Sequence, residues 1–247
     1  MSTTPKTFEV NSHAGAEFFC RKIRAYDSTM VRSGAKILVV GCGAGHEAAF
    51  LQKTLDAKVT GVDVVNALWP EFRSWPNFSF QISNVCDLPF ATGQFDAVFY
   101  HHVIQEVGNV GRSLRELSRV LKHDGWLFVG APNRNRLVSS VGAHREATWK
   151  PTLQNKLTDN LNDWTARIQC KFRNEQGARA GFSRRELSKL LSVEFKNQKW
   201  MTKAYLQHKY EGHPFGGAVS MLAAEPFCEV TAPSIYAFAQ NAEVWPG

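Results

Sequence analysis

Apolar runs and amphipathic segments alternate through the first half of the chain. Five short runs rich in β-branched and aromatic residues are typical of buried strands, and they cover residues 36–40, 59–65, 78–82, 95–100 and 126–131. Segments 44–55 and 112–121 lie between them and carry apolar residues at helical spacing. Short, almost continuous apolar strands that alternate with helices indicate a parallel sheet covered on both faces. This pattern predicts a doubly wound α/β domain.

Turn and capping signals divide the chain further. His123, Asp124 and Gly125 are predicted to end the helix 112–121 before the next strand begins. Ser183 with Glu186 three residues later forms a capping-box pattern, which predicts the start of another helix. Two more strands are predicted at 193–200 and 234–239, for a total of seven in a mostly parallel sheet with helices on both faces.

We expect one domain over residues 1–247. Its predicted parts are an N-terminal helical segment, a cofactor-binding core, a helical or irregular cap insertion, and a C-terminal part of the sheet with a substrate-side insertion, at residues 1–35, 36–133, 134–182 and 183–247 respectively.

Composition excludes several classes of protein. The chain is 44% hydrophobic and 21% charged, which is ordinary for a globular domain and rules out disorder over most of its length. No apolar run approaches the roughly 18 residues of a membrane span, and the N-terminus lacks a signal-peptide pattern. The 5 cysteines are odd in number and have no CxxC spacing, so we expect no disulfide framework, no metal site and a reducing, cytoplasmic location.

The net charge of +7 comes from one stretch of the chain. Residues 134–185 carry 11 basic and 4 acidic side chains, whereas the segments on either side are close to neutral. A basic block of this kind either faces an anionic partner or is a solvated surface insertion. Because the excess is local, we expect no stable complex with nucleic acid.

A glycine-rich turn lies between the first predicted strand and the first predicted helix. Gly41, Gly43 and Gly45 form a G-x-G-x-G pattern, and His46 stands where a dinucleotide fingerprint needs a third small residue. Asp63 ends the second strand, where a carboxylate can accept hydrogen bonds from both hydroxyls of a ribose. The pattern therefore indicates a nucleoside ligand without a diphosphate, rather than NAD.

The order of four segments resembles the class I S-adenosylmethionine-dependent methyltransferases, and the branch that acts on small molecules above all. The segments are ILVVGCGAG, VTGVDVV, SNVCDLPFATGQFDAVFYHH and RELSRVLKHDGWLFVGAPNR, which together span about residues 36–134. The resemblance implies a Rossmann-like fold, S-adenosylmethionine as cofactor and S-adenosylhomocysteine as product.

The resemblance also implies roles for individual residues. The loop under the methionine and ribose parts of the cofactor consists of Gly41, Cys42, Gly43 and Gly45. Asp63 binds the ribose, Val64 packs against the adenine, and Asn84 and the amide of Val85 contact the adenine edge. His101 and His102 lie near the transferable methyl group; one of them is expected to line the site, and either is a candidate general base.

Two positions depart from the family pattern. Many members have an acidic residue two places before the first glycine, where this chain has Val39, so the positioning of the methionine amino group is in doubt. Asn84 replaces a common Asp, but its amide oxygen can still accept a hydrogen bond from adenine.

The expected function is transfer of a methyl group to a small-molecule acceptor, as O- or N-methylation in a biosynthetic reaction. His144 and Arg145 of the basic block are candidate contacts to an anionic or phenolic acceptor. Two alternatives stay open: a methyltransferase that modifies RNA or protein, and a catalytically silent cofactor-binding protein. The pattern carries no prediction of oligomeric state.

Overall fold

The computed structural model describes residues 14–26, 34–137, 181–212 and 227–242, together with single positions between 158 and 169. The strands are β1 Lys36–Val40, β2 Lys58–Asp63, β3 Phe78–Ile82, β4 Phe95–His101, β5 Leu121–Pro132, β6 Phe195–Trp200 and β7 Ser234–Asn241. The helices are α1 Ala14–Tyr26, α2 His46–Leu55, α3 Val110–Val120, α4 Arg184–Leu191, α5 Thr202–Lys209 and α6 Cys228–Thr231.

The strands form one seven-stranded sheet in the order β3-β2-β1-β4-β5-β7-β6. Strand β7 runs antiparallel to both of its neighbours, and the pairs from β3 through β5 are parallel. The strand order reverses beside β1, so the carboxyl ends of β1, β2 and β4 meet at the crevice where ligands of open α/β sheets bind. This topology confirms the predicted Rossmann-like fold.

The sheet has a hydrophobic core on each face, and alternate residues of each central strand pack into one core or the other. Ile37 and Val39 of β1 face the layer of α1 and α2, where Phe19 of α1 packs edge-on against Phe99. Leu38 of β1 faces the opposite layer, which contains Leu114 of α3 and the apolar face of α4. Both faces of the sheet are therefore covered. Because side chains on both faces are buried, the central strands have almost continuous apolar sequences.

Several predicted boundaries were wrong: the strand expected at 193–200 begins at Phe195, the one expected at 234–239 ends at Asn241, and the helix expected at 112–121 is Val110–Val120. Strand β2 ends at Asp63 rather than at residue 65, because the chain turns there and Val64 is 65% exposed. His123, Asp124 and Gly125 do not separate a helix from a strand, because β5 already begins at Leu121. They form a bulge in which β5 has extra residues opposite β4, and Asp124 takes a φ of +59°.

The capping box at the start of α4 is confirmed. The Ser183 hydroxyl accepts a hydrogen bond from the Glu186 amide, and the Glu186 carboxylate accepts one from the Ser183 amide. Most of the predicted cap insertion lies outside the described residues, and the proposed subdivision of the chain remains a prediction. No helix among the described residues is long and apolar enough to cross a membrane.

A buried amide at the end of β7 joins the sheet to α3. The Asn241 side chain donates hydrogen bonds to the carbonyls of Ser118, Leu121 and Lys122, and it accepts a 2.6 Å bond from the Ser118 hydroxyl. We expect Asn241→Ala to lower the free energy of unfolding by about 2–4 kcal/mol, because buried polar groups lose their partners. Urea denaturation measures the loss.

The neighbouring Gln240 provides the control, since its side chain accepts a bond from the exposed Asn197. Gln240→Ala should cost well under about 1 kcal/mol because water can replace that bond. Equal urea midpoints for Asn241→Ala and Gln240→Ala would contradict this account.

Candidate functional site

The backbone of the glycine loop is hydrogen-bonded to the sheet on one side, and its other side borders free space. The amides of Gly41 and Cys42 both donate to the carbonyl of Val62, which ties the loop to β2. A Cβ on Gly41 would lie 2.2 Å from Val103 Cγ2. At Gly43, which has a φ of +52°, a Cβ would meet no protein atom within 4 Å. Gly43 therefore borders an open space that a ligand can occupy.

Asp63 holds this loop from the end of β2. Its Oδ2 accepts a 2.8 Å hydrogen bond from the Gly43 amide, and its Oδ1 accepts a 3.2 Å bond from the Val65 amide. A carboxylate has about four acceptor positions, so each oxygen keeps capacity for a further donor. The structure thus places Asp63 beside the open face of Gly43, where it can accept from vicinal hydroxyls.

The three residues expected at the adenine differ in their exposure to solvent. Val64 is exposed, and it follows Asp63 directly. The Val85 side chain is buried in the core, so only its backbone can face a ligand. Asn84 is exposed, and its side-chain oxygen accepts a 2.9 Å bond from the Cys86 amide. Their contacts with adenine remain predictions.

His101 ends β4 and is enclosed between two glycines. A Cβ on Gly15 of α1 would lie 2.5 Å from His101 Cε1, and one on Gly130 would lie 2.9 Å from His101 Cδ2. His101 Nδ1 is 3.1 Å from Glu47 Oε1, while Nε2 is buried and without a hydrogen-bond partner in the part of the chain that the structure describes. An ionised carboxylate only accepts, so Nδ1 carries the hydrogen and Nε2 the lone pair in the neutral ring.

His102 is held by a different set of contacts. Its φ of +55° is rare for a non-glycine residue, and its amide donates to the Gly130 carbonyl. The Nε2 atom of His102 lies 3.2 Å from the Tyr236 hydroxyl. Tyr236 stacks on Tyr205 with ring centroids 3.8 Å apart, and burial raises its pKa to about 12. The phenol therefore stays protonated at neutral pH.

Cys42 lies within the electrostatic reach of both carboxylates of the site. Burial above all, together with the charges of Asp63 and Glu47, raises the pKa of its thiol to about 12. The thiol is thus neutral at physiological pH, and a thiolate nucleophile is disfavoured.

The structure does not describe the two residues that were expected to contact the acceptor. His144 and Arg145 lie outside the described residues. Among the residues that the structure describes, no group of three His, Cys, Asp or Glu side chains is arranged to hold a metal ion.

Two residues of this edge were missed by the sequence analysis. Glu47 belongs to the first turn of α2, where an acidic residue is already expected because it favours the helix dipole. Tyr236 lies on β7, 134 residues after His102, so only the sheet topology brings the two together.

Residues 38–129 match a known family described as a methyltransferase domain. The match covers the glycine loop, Asp63, Asn84, Val85 and both histidines, but it excludes α1 and the last two strands.

Two curated relatives are each 35% identical to the chain. One is a malonyl-[acyl-carrier protein] O-methyltransferase of Legionella pneumophila, aligned over 105 residues, which are 38% of this chain and 34% of that protein. The other is a 2-phytyl-1,4-naphtoquinone methyltransferase of a Nostoc species, aligned over 103 residues, which are 38% of this chain and 45% of that protein. The alignments thus span about a third to under a half of the length of these relatives.

A solved structure shares the fold over almost the whole chain. The MccD protein superposes with a TM-score of 0.57 at 14% identity, covering 94% of this chain and 99% of MccD. The matched domain, the strand order and the glycine loop agree with the resemblance found in the sequence. Residues 38–129, less than half of the chain, are thus similar to a methyltransferase domain, and the strand order of the sheet agrees with that similarity.

Proposed function

We propose that this protein transfers the methyl group of S-adenosylmethionine to an oxygen or nitrogen atom of a small molecule. The observation that carries the proposal is the convergence of the open Gly43 loop, Asp63 and His101 at one edge of the sheet. The names of the two relatives specify different acceptors, so the acceptor of this chain is a separate question.

The chain's own residues would bind the cofactor along this edge. The Gly43 backbone leaves room for the ligand, and Asp63 accepts hydrogen bonds from the ribose hydroxyls. Exposed Val64 covers one face of the adenine, while Asn84 and the Val85 amide contact its polar edge. Gly41, Cys42 and Gly45 shape the loop beneath.

Positioning would supply most of the catalysis. Bound S-adenosylmethionine would supply an activated methyl group whose leaving group is a neutral thioether, and the chain would have to hold the acceptor atom against that methyl group. Holding two groups in this geometry can contribute ~7–11 kcal/mol. The walls that His101, His102 and Tyr236 build at the end of β4 exclude water and orient the acceptor.

A hydroxyl acceptor must also lose its proton. His101 and His102 are the two candidates for the base that takes it, and in this structure Nε2 of His101 is buried. His144 and Arg145 remain proposed contacts to an anionic or phenolic acceptor, supported by the excess of 11 basic over 4 acidic side chains in residues 134–185.

Transfer of an isotope-labelled methyl group from S-adenosylmethionine to a small-molecule extract tests the proposal. We expect a product that is heavier than its acceptor by one labelled methyl group, formed by the wild type and strongly reduced in Asp63→Ala. Label that enters only RNA or protein fractions would overturn the proposal in favour of a macromolecular acceptor, and label in no fraction would favour a silent binding protein.

A further inference from the structure

A cavity of about 200 Å³ lies beside the connection between β2 and β3. Four apolar and two polar side chains line it, namely Leu68, Phe72, Phe78, Phe80, Asn66 and Arg73. We propose that this cavity is a second ligand site for a small aromatic carboxylate, whose ring enters the apolar part and whose charge pairs with Arg73. This second site is independent of the proposed function.

The cavity exists because the connection between β2 and β3 lacks a full helix. Two parallel strands are joined by a crossover that usually contains an α-helix packed on the sheet. Residues 64–77 contain a single 3₁₀ turn, Pro70–Phe72, and otherwise only bends and turns. One turn is too short to cover the adjoining face of β3, so Phe78 and Phe80 stay half-buried and border the cavity.

The wall of the cavity is held in place by hydrogen bonds to the start and the middle of α2. The amide of Trp69 donates a 3.1 Å bond to the carbonyl of Ala44, just before this helix. The indole of Trp75 donates a 2.9 Å bond to Gln52 Oε1 on the helix. The two anchors lie on either side of Phe72, which is buried. The site is therefore formed before a ligand arrives, which lowers the cost of binding.

The cavity is distinct from the expected adenine site. Phe78 and Phe80 pack against the apolar clusters on the face of the sheet that α1 and α2 cover. Val85, whose amide is expected to contact adenine, belongs to the core on the opposite face. Val64 and Asn84 are not part of the cavity lining. We therefore expect the cofactor and the second ligand to bind at the same time.

The chemistry of the lining indicates the class of ligand. Three of the four apolar side chains are phenylalanines, which favour an aromatic partner in stacked or edge-to-face contact. An apolar cavity of about 150 Å³ already takes up benzene, so this cavity is large enough for one ring.

The polar side chains of the lining favour an anionic group on that ring. Arg73 and Asn66 are exposed, and neither side chain has a hydrogen bond or ion pair within the part of the chain that the structure describes. A guanidinium presents paired N–H donors whose spacing matches a carboxylate, and such charge-assisted pairs are among the stronger ones in proteins. The ring and the charge together specify an aromatic carboxylate.

Titration of the isotope-labelled protein with benzoate and with benzyl alcohol tests the site. The two probes share the ring, and only benzoate is charged. Amide chemical shifts in NMR spectra locate the binding and give dissociation constants in the wild type, in Arg73→Gln and in Arg185→Gln. Arg185 is an exposed arginine on α4, which packs on the opposite face of the sheet, so the two variants lose the same charge.

We expect benzoate to bind the wild type saturably, with the shifts concentrated in residues 66–80, and benzyl alcohol to bind at least about tenfold more weakly. Arg73→Gln should weaken benzoate about tenfold and change benzyl alcohol less than about twofold, because only the charge-assisted contact is lost. Arg185→Gln should match the wild type with both probes.

Three results would overturn the inference: equal benzoate affinities in Arg73→Gln and Arg185→Gln, equal affinities of the wild type for the two probes, or shifts centred outside residues 66–80. Displacement of benzoate by S-adenosylhomocysteine would overturn it as well, because the cavity would then belong to the cofactor. If benzoate binds as expected and S-adenosylhomocysteine does not bind at all, the proposed function fails and the second site stands.

Discussion

Gly43→Ala should abolish most of the binding of S-adenosylhomocysteine while leaving the protein folded. The new methyl group meets no protein atom within 4 Å, so it collides with nothing in the ligand-free fold. It projects instead into the space that the ligand would occupy. A ligand excluded from this space loses its contacts with the loop, and we expect the calorimetric affinity to fall on the order of a hundredfold, or about 2.7 kcal/mol.

Gly93 provides the matched control. Its φ of +65° resembles the +52° of Gly43, and a Cβ there also meets nothing within 4 Å. Each alanine should therefore cost a similar ~1–2 kcal/mol of folding free energy from the left-handed backbone. Only Gly43→Ala should lose the ligand, and equal affinities in the two variants would show that the loop does not border the binding site.

Asp63→Ala should weaken S-adenosylhomocysteine by roughly 10- to 100-fold. The ribose hydroxyls would lose their charged acceptor, and the Gly43 amide would lose the 2.8 Å bond that holds the loop. Hydrogen bonds to charged groups contribute about 1.5–3 kcal/mol, which corresponds to that range of affinity. Calorimetry on the folded variant measures the change.

Because Asp63 is only partly buried, its removal should leave the melting temperature within a few degrees of the wild type. Glu71→Ala, which removes an exposed carboxylate of the neighbouring segment, should retain full affinity. Wild-type affinity in a folded Asp63→Ala protein would mean that the end of β2 does not hold the ribose.

The sequence could predict the sheet because its signals are local. β1 and β3 were bounded correctly from their apolar runs alone, and Ser183 with Glu186 marked the start of α4. The start of β5 was missed because His123, Asp124 and Gly125 have the composition of a turn. In the structure they form a bulge within β5, opposite β4. Tertiary hydrogen bonding outweighed local propensity there.

The sequence predicted only those parts of the site that belong to a recognisable motif. The loop and Asp63 could be found because the G-x-G-x-G pattern and an acidic residue at the end of the next strand are visible along the chain. The partners of the two histidines could not, since Glu47 and Tyr236 come from α2 and β7 and meet them only in the folded sheet. Nor does spacing reveal that Gly15 and Gly130 enclose the His101 ring.

The central claim is that the edge formed by the Gly43 loop and Asp63 is a site for S-adenosylmethionine and not for a dinucleotide. Calorimetric titration of the wild-type protein with S-adenosylhomocysteine and with NAD tests it most directly. The account predicts saturable binding of S-adenosylhomocysteine at one site per chain and no measurable heat with NAD. Binding of NAD without any response to S-adenosylhomocysteine would contradict it.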